Sequence, residues 1–191
     1  MEKLTIGLDI DGVIVDFAAV MLPLLSEACH RTVTIEDIYT YDITECLNIS
    51  DESAEYIWQQ TLGTDLLIDA PPVAGAVEGL MALDGHEIWI ITGRPSTLRN
   101  LTEAWLSRRN IRYDRIIFDR IINKMMVGPE FDVFVEDFLK GARVIAEAGV
   151  FTLLFNQPWN QSLELPANCR RVYDWPAIVE IINKRQGGEV D

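Results

Sequence analysis

The chain has 191 residues, a formal net charge of −14, 49% hydrophobic residues and 24% charged ones. This is the composition of a globular protein with room for one core domain and a modest insertion. The acidic balance argues against a nucleic-acid polymer or an anionic membrane as the main partner, since both need basic surface. A small anionic substrate stays compatible, because a few cations reverse the sign locally.

In chain order, Leu4–Ile10 reads as a short apolar strand that runs into the turn Asp11-Gly12-Val13. From Phe17 to Pro71 the pattern holds no convincing buried strand. It predicts an apolar helix over Phe17–Cys29, a capped turn at Thr34–Tyr39 and a helix over Asp51–Leu62, closed by Pro71-Pro72. Strand–helix alternation then resumes. A helix is expected over Ala74–Leu83 and a buried strand over Glu87–Ile91. Ser96 is expected to cap a helix reaching Arg109, and further strands are expected at Asp114–Phe118, Asp132–Val135 and Phe151–Phe155. A helix over Phe138–Ala148 separates the last two strands, and Trp175-Pro176 opens a final helix.

Such alternation implies an α/β fold with a doubly wound, mostly parallel, Rossmann-like sheet. The expected organisation is a core domain of residues 1–16 and 72–191, with a small helical cap, residues 17–71, inserted after the first strand. Cys29, Cys46 and Cys169 form no CxxC pair, so reduced thiols are expected rather than a zinc site or disulfide framework. Met1-Glu2-Lys3 shows no signal peptide, and the longest apolar run, Phe17–Leu25, contains Pro23 and is too short for a bilayer. A cytoplasmic protein is expected.

Ligands of doubly wound sheets bind beyond the carboxyl ends of the strands. Polar groups occur at four such places. Asp9 and Asp11 stand where the first strand meets a glycine turn, an unrewarding place for charge unless a cation or a proton-transfer task is present. The pair could be a nucleophile with its acid/base partner, two metal ligands, or a turn aspartate with a solvated neighbour. Thr92-Gly93-Arg94 follows Ile88–Ile91, and a hydroxyl with backbone N–H groups ahead of a helix suits phosphate oxygens. An ordinary turn is the plainer alternative. Lys124 precedes the next strand and could screen phosphate and nucleophile, or be one more surface lysine. Glu136-Asp137 follow Val133-Phe134-Val135; adjacent carboxylates there suit Mg²⁺, while Asp137 as a helix cap is the structural alternative.

Asp9-x-Asp11-Gly-Val, Ile91-Thr92-Gly-Arg, Lys124 and Glu136-Asp137 occur in the order of the four motifs of the haloacid dehalogenase superfamily, which the chain resembles. Within it, the chain resembles the 5′(3′)-deoxyribonucleotidase family and its bacterial relatives. Asp16-Phe17, Pro72–Glu78, Leu154–Asn160 and Arg171–Trp175 carry that narrower likeness. The resemblance implies that Asp9 attacks phosphorus to give an aspartyl-phosphate, while Asp11 protonates the leaving alcohol and later deprotonates water. It further implies Mg²⁺ held by the Asp9 carboxylate, the Asp11 main-chain carbonyl and Asp137, with Glu136 acting through water. Thr92, Gly93, Arg94 and Lys124 would bind the phosphoryl group. Two departures are visible: Gly93-Arg94 replaces a different turn of the characterised deoxyribonucleotidases, and Glu136 stands where many members have a second aspartate.

The cap is expected to select the leaving group. Phe17, Tyr39, Tyr41 and Trp58 are candidates for stacking on a base, or for packing the cap on the core. His30 and His86 receive no catalytic role. The leading expectation is an Mg²⁺-dependent phosphohydrolase of (deoxy)nucleoside monophosphates. The alternatives are a sugar phosphate or other small phosphomonoester as substrate, and a nucleotide-binding protein without turnover. An apolar cap edge could support a dimer, without a specific signature for one.

Overall fold

The computed structural model describes residues 3–63, 66–119, 131–161 and 164–188. Its six described strands form a single sheet: β1 (Thr5–Leu8), β2 (Glu87–Thr92), β3 (Arg115–Phe118), β4 (Val133–Glu136), β5 (Phe151–Phe155) and β6 (Cys169–Val172). The spatial order is β3-β2-β1-β4-β5-β6, and every neighbouring pair is parallel. Crossovers therefore run outward one way through β2 and β3. They resume on the other side of β1 with β4, so the order reverses between β1 and β4, where a sheet of this class opens a ligand crevice. Leu8 lies opposite Val135 in the register, so Asp9 leaves its strand level with Glu136.

The described helices are α1 (Phe17–Ala28), α2 (Ile43–Leu47), α3 (Asp51–Gly63), α4 (Leu66–Asp69), α5 (Ala76–Ala82), α6 (Arg99–Arg108), α7 (Leu139–Glu147) and α8 (Trp175–Gln186). The central strands are buried on both faces: Ile6, Leu8, Ile90, Val133, Val135 and Leu153 point one way and Trp89, Ile91, Phe134 and Leu154 the other, and parallel strands need this cover. The largest apolar cluster joins these strands to Leu80 of α5, Trp105 of α6 and Ile178 of α8. A second cluster lies within the inserted helices, built from Phe17, Met21 and Leu25 of α1 with Ile38, Ile43, Ile57 and Leu67.

The chain leaves and returns at adjacent points. The Asp16 amide donates to Pro71 O at 2.9 Å, and the Val73 amide donates to Ile14 O at 2.9 Å. Among the described residues, the stretch between Asp16 and Pro71 holds helices and turns but no strand. No described helix is long and apolar enough to cross a membrane.

Several edges differ from the sequence reading. β1 ends at Leu8 because the carbonyl of Ile10 accepts the amides of Ile14 and Val15, which curls the chain out of the ladder. Ser96 does not cap α6: Ser96–Leu98 forms a tight 3₁₀ turn after Pro95, and α6 begins at Arg99 without a side-chain cap. Asp137 does not cap α7 either, whose N-cap residue is Phe138. α8 begins at Trp175-Pro176 as its sequence suggests, and Asp174 caps it by accepting from Ala177 N at 2.8 Å.

Candidate active site

The turn after β1 is fixed from outside. Trp175 Nε1 donates to Val13 O at 2.9 Å, and Gln157 Nε2 donates to Gly12 O at 2.9 Å. Gly12 has φ +83°, and a Cβ there would overlap the Asp137 carboxylate. Glycine is required on both counts, because an L side chain is disfavoured in this backbone region and has no room.

Asp9, Glu136 and Asp137 are all buried, and one carboxylate oxygen from each lies within 4.8 Å of the other two. At an effective dielectric of about 20, each pair of like charges at that spacing is repulsive by about 3 kcal/mol or more. Three such groups together call for protons or a cation. An all-oxygen, all-anionic donor set suits a hard divalent ion. Glu136 also accepts the amides of Asp137 and Phe138 at 3.2 Å each through Oε1. Asp9 is positioned by its own amide, which donates to Val135 O at 3.0 Å.

Asp11 lines the same cavity as this cluster but is paired with Arg94. Arg94 Nε and Nη2 donate to its two carboxylate oxygens at 2.8 and 2.5 Å, and Arg94 Nη1 donates to Thr102 Oγ1 of α6 at 3.1 Å. The guanidinium is 1% exposed and the Asp11 side chain 26%, so the pair spans the floor of the site and its wet side. Thr92 is buried at the end of β2, and its hydroxyl accepts the Arg94 amide at 3.2 Å. Lys124 lies outside the described residues.

That cavity joins the acidic residues and Arg94 to the inserted helices, and Thr92 lies outside its lining. Asp9, Asp11, Gly93, Arg94, Glu136 and Asp137 line one side. Phe17, Met21, Ile38, Tyr41, Trp58 and Leu62 line the other. Phe17 and Trp58 stack on each other with centroids 5.1 Å apart, and Tyr41 packs on Phe138 at 4.3 Å. Tyr41 is 49% exposed as a residue, yet it lines the same cavity as the acidic groups. Burial and the carboxylates of Asp137, Asp9, Glu136 and Asp11 push that phenol well above its usual range. Tyr39 lies outside the cavity lining, its hydroxyl donating to Glu45 O at 3.2 Å.

Trp159 lines the same cavity and was not singled out as a site residue by the sequence. It follows β5, a fifth strand end, so the rule that located the other groups also points to its loop. Its particular contact, with Asp137, depends on loop geometry that no sequence pattern announces.

The family described as "5' nucleotidase, deoxy (Pyrimidine), cytosolic type C protein" matches residues 3–186. A Bacillus subtilis (strain 168) protein named "Putative nucleotidase YqfW" is 32% identical over 187 residues, covering 96% of this chain and 95% of its own. Among solved structures, the haloacid dehalogenase-like hydrolase SP0104 of Streptococcus pneumoniae superposes with a TM-score of 0.67 at 11% identity, covering 94% of this chain and 98% of its own. The HAD-hydrolase YfnB of Bacillus subtilis, described as bound to magnesium, gives a TM-score of 0.63 at 16% identity, covering 95% and 100%. At these identities the structural likenesses establish the fold.

Proposed function

The chain belongs to the cytosolic type C 5′ (deoxy)nucleotidase family of the haloacid dehalogenase superfamily, and we propose that it hydrolyses nucleoside monophosphates with Mg²⁺ through an aspartyl-phosphate. It is a phosphomonoester hydrolase. The observation that carries the finer reading is the meeting, at the reversal of the sheet, of the Asp9–Glu136–Asp137 cluster with Asp11 under an aromatic-walled cavity.

In this reading an Asp9 carboxylate oxygen attacks phosphorus, the bond from phosphorus to the ester oxygen breaks, and Asp11 gives its proton to the departing alcohol. Water then attacks the same phosphorus. Asp11 takes a proton from that water, and the bond to Asp9 breaks to release phosphate and restore the carboxylate. The hydroxyl of Thr92 and the backbone at Gly93 receive phosphoryl oxygens, together with Lys124, while the Arg94 guanidinium is committed to Asp11 and Thr102. Asp9, Glu136, Asp137 and the Asp11 carbonyl are assigned to the cation, which supplies neutralisation of the charge gathered on carboxylate and phosphate. The magnesium-bound YfnB supports that choice of ion.

Residues 17–71 act as the cap in this account, and Phe17, Tyr41 and Trp58 form the apolar wall against which the leaving group rests. A nucleobase buries more flat apolar surface there than a sugar phosphate does, which favours the nucleotide. The unbridged Cys29, Cys46 and Cys169 support a reducing, cytoplasmic location. Phosphate release across a panel of nucleoside monophosphates and sugar phosphates, at substrate concentrations below saturation, tests the assignment. We expect kcat/KM to be highest for a nucleotide; a sugar phosphate preferred over every nucleotide overturns it.

A further inference from the structure

The loop after β5 grips the site at two places. Its Gln157 holds the turn that follows Asp9 by donating to Gly12 O. Its Trp159 donates from Nε1 to Asp137 Oδ2 at 3.2 Å. Asn160, only 1% exposed, donates through Nδ2 to Asp137 O and Phe155 O at 2.7 Å each. Behind it, Arg171 of β6 donates to Asn160 Oδ1 at 2.6 Å and to Asn160 O at 2.7 Å. This chain of bonds fixes the main chain of Asp137 and one oxygen of its carboxylate from the side opposite β1.

A ligating carboxylate works best when a hydrogen bond sets its plane before the cation arrives. Otherwise the side chain loses rotamer freedom on binding. We infer that Trp159 is the positioning residue for the cation site: its indole N–H ties down Asp137 Oδ2 and so presents the carboxylate to the ion. The inference rests on the reading that Asp9, Glu136 and Asp137 hold Mg²⁺. It also explains why an indole lines this cavity: packing against a leaving group needs only a ring, and a phenylalanine would provide one.

The variant Trp159→Phe keeps a ring and removes the N–H. Calorimetric titration of Mg²⁺ into the wild-type protein and this variant, without substrate, reads the effect directly. Melting of both metal-free proteins accompanies it. Mg²⁺ affinity is expected to fall about 10- to 100-fold in Trp159→Phe, with the metal-free melting temperature unchanged. Equal Mg²⁺ affinity in the two proteins overturns the role of Trp159 and leaves the cation site standing. Absence of Mg²⁺ binding by the wild-type protein overturns the cation site and the inference together. Should Trp159→Phe not fold, β-(3-benzothienyl)alanine at position 159 replaces only the N–H by sulfur, and the same titration decides.

Discussion

Arg94 gives both nitrogens of one guanidinium edge to Asp11 and a third to Thr102, so it reaches Asp11 in the geometry of a clamp. A planar fork of this kind is not replaced by an ammonium. If Arg94 aims the Asp11 carboxylate, Arg94→Lys lowers kcat by about 10- to 100-fold, as small misplacements of a catalytic group do, and leaves KM little changed. Steady-state kinetics on the best nucleotide checks this. A raised KM with kcat preserved would instead make Arg94 a phosphate ligand, the role suggested by its position after Thr92. That its guanidinium grips Asp11 was not legible in the sequence: the alternation of strands brings the two strand ends together across 83 residues, but which side chains then pair is set by local geometry. Gly12 makes a second prediction. Gly12→Ala puts a methyl group against Asp137 in a backbone conformation with φ +83°. It should cost about 1–2 kcal/mol of stability from the backbone alone and weaken Mg²⁺ binding. Urea unfolding and calorimetry measure the two effects separately, and wild-type behaviour in both contradicts the account.

Among the elements, β2 is held at its start by His86, whose Nδ1 accepts the Leu4 amide at 3.3 Å. Burial lowers the pKa of His86 from its ordinary 6.5, because the charged ring would lose hydration, and the nearby Asp132 only partly opposes this. Below that ordinary value the unfolded chain takes up a proton that the folded chain refuses, so this contribution to stability is present at neutral pH and lost as pH falls. The wild-type melting temperature should therefore drop between pH 7.5 and pH 5 more steeply than that of His86→Asn; parallel profiles contradict it. The long, regular elements were legible. Phe151–Phe155 is a strand end to end, and Trp175-Pro176 starts a helix. Short elements were not. α2 and α4, five and four residues long, are shorter than the window in which helical periodicity can be seen. In β6, Arg170 and Arg171 break the apolar run of an edge strand, so the pattern alone did not mark it.

For the whole molecule, the sheet order explains why an acidic chain carries its chemistry at one place. β1 is flanked by β2 and β4, and the reversal gathers groups numbered 9, 11, 94, 136 and 137 at one mouth. That convergence is readable from strand–helix alternation and from the spacing of these motifs along the chain. The wall of the cavity is less readable, because Phe17 and Trp58 stack on each other and Tyr39 turns outward, choices set by how α1 packs on α3 and by the loop ahead of α2. A cation bound only by the folded state stabilises it by about 2.7 kcal/mol at 100 times its dissociation constant. For a chain of this size each kcal/mol raises the melting temperature by about 2–4 °C. Mg²⁺ should therefore raise the melting temperature of the wild-type protein by several degrees, a chelator should reverse this, and Asp137→Asn should abolish it. A shift that persists in Asp137→Asn contradicts the assigned site. The central claim is tested most directly by phosphate release from a deoxynucleoside monophosphate, with Mg²⁺ and with chelator, by the wild-type protein and by Asp9→Asn. The account predicts release by the wild-type protein only with Mg²⁺, and a loss of about 10³-fold or more in Asp9→Asn; undiminished release by Asp9→Asn, or release that survives the chelator, would contradict it.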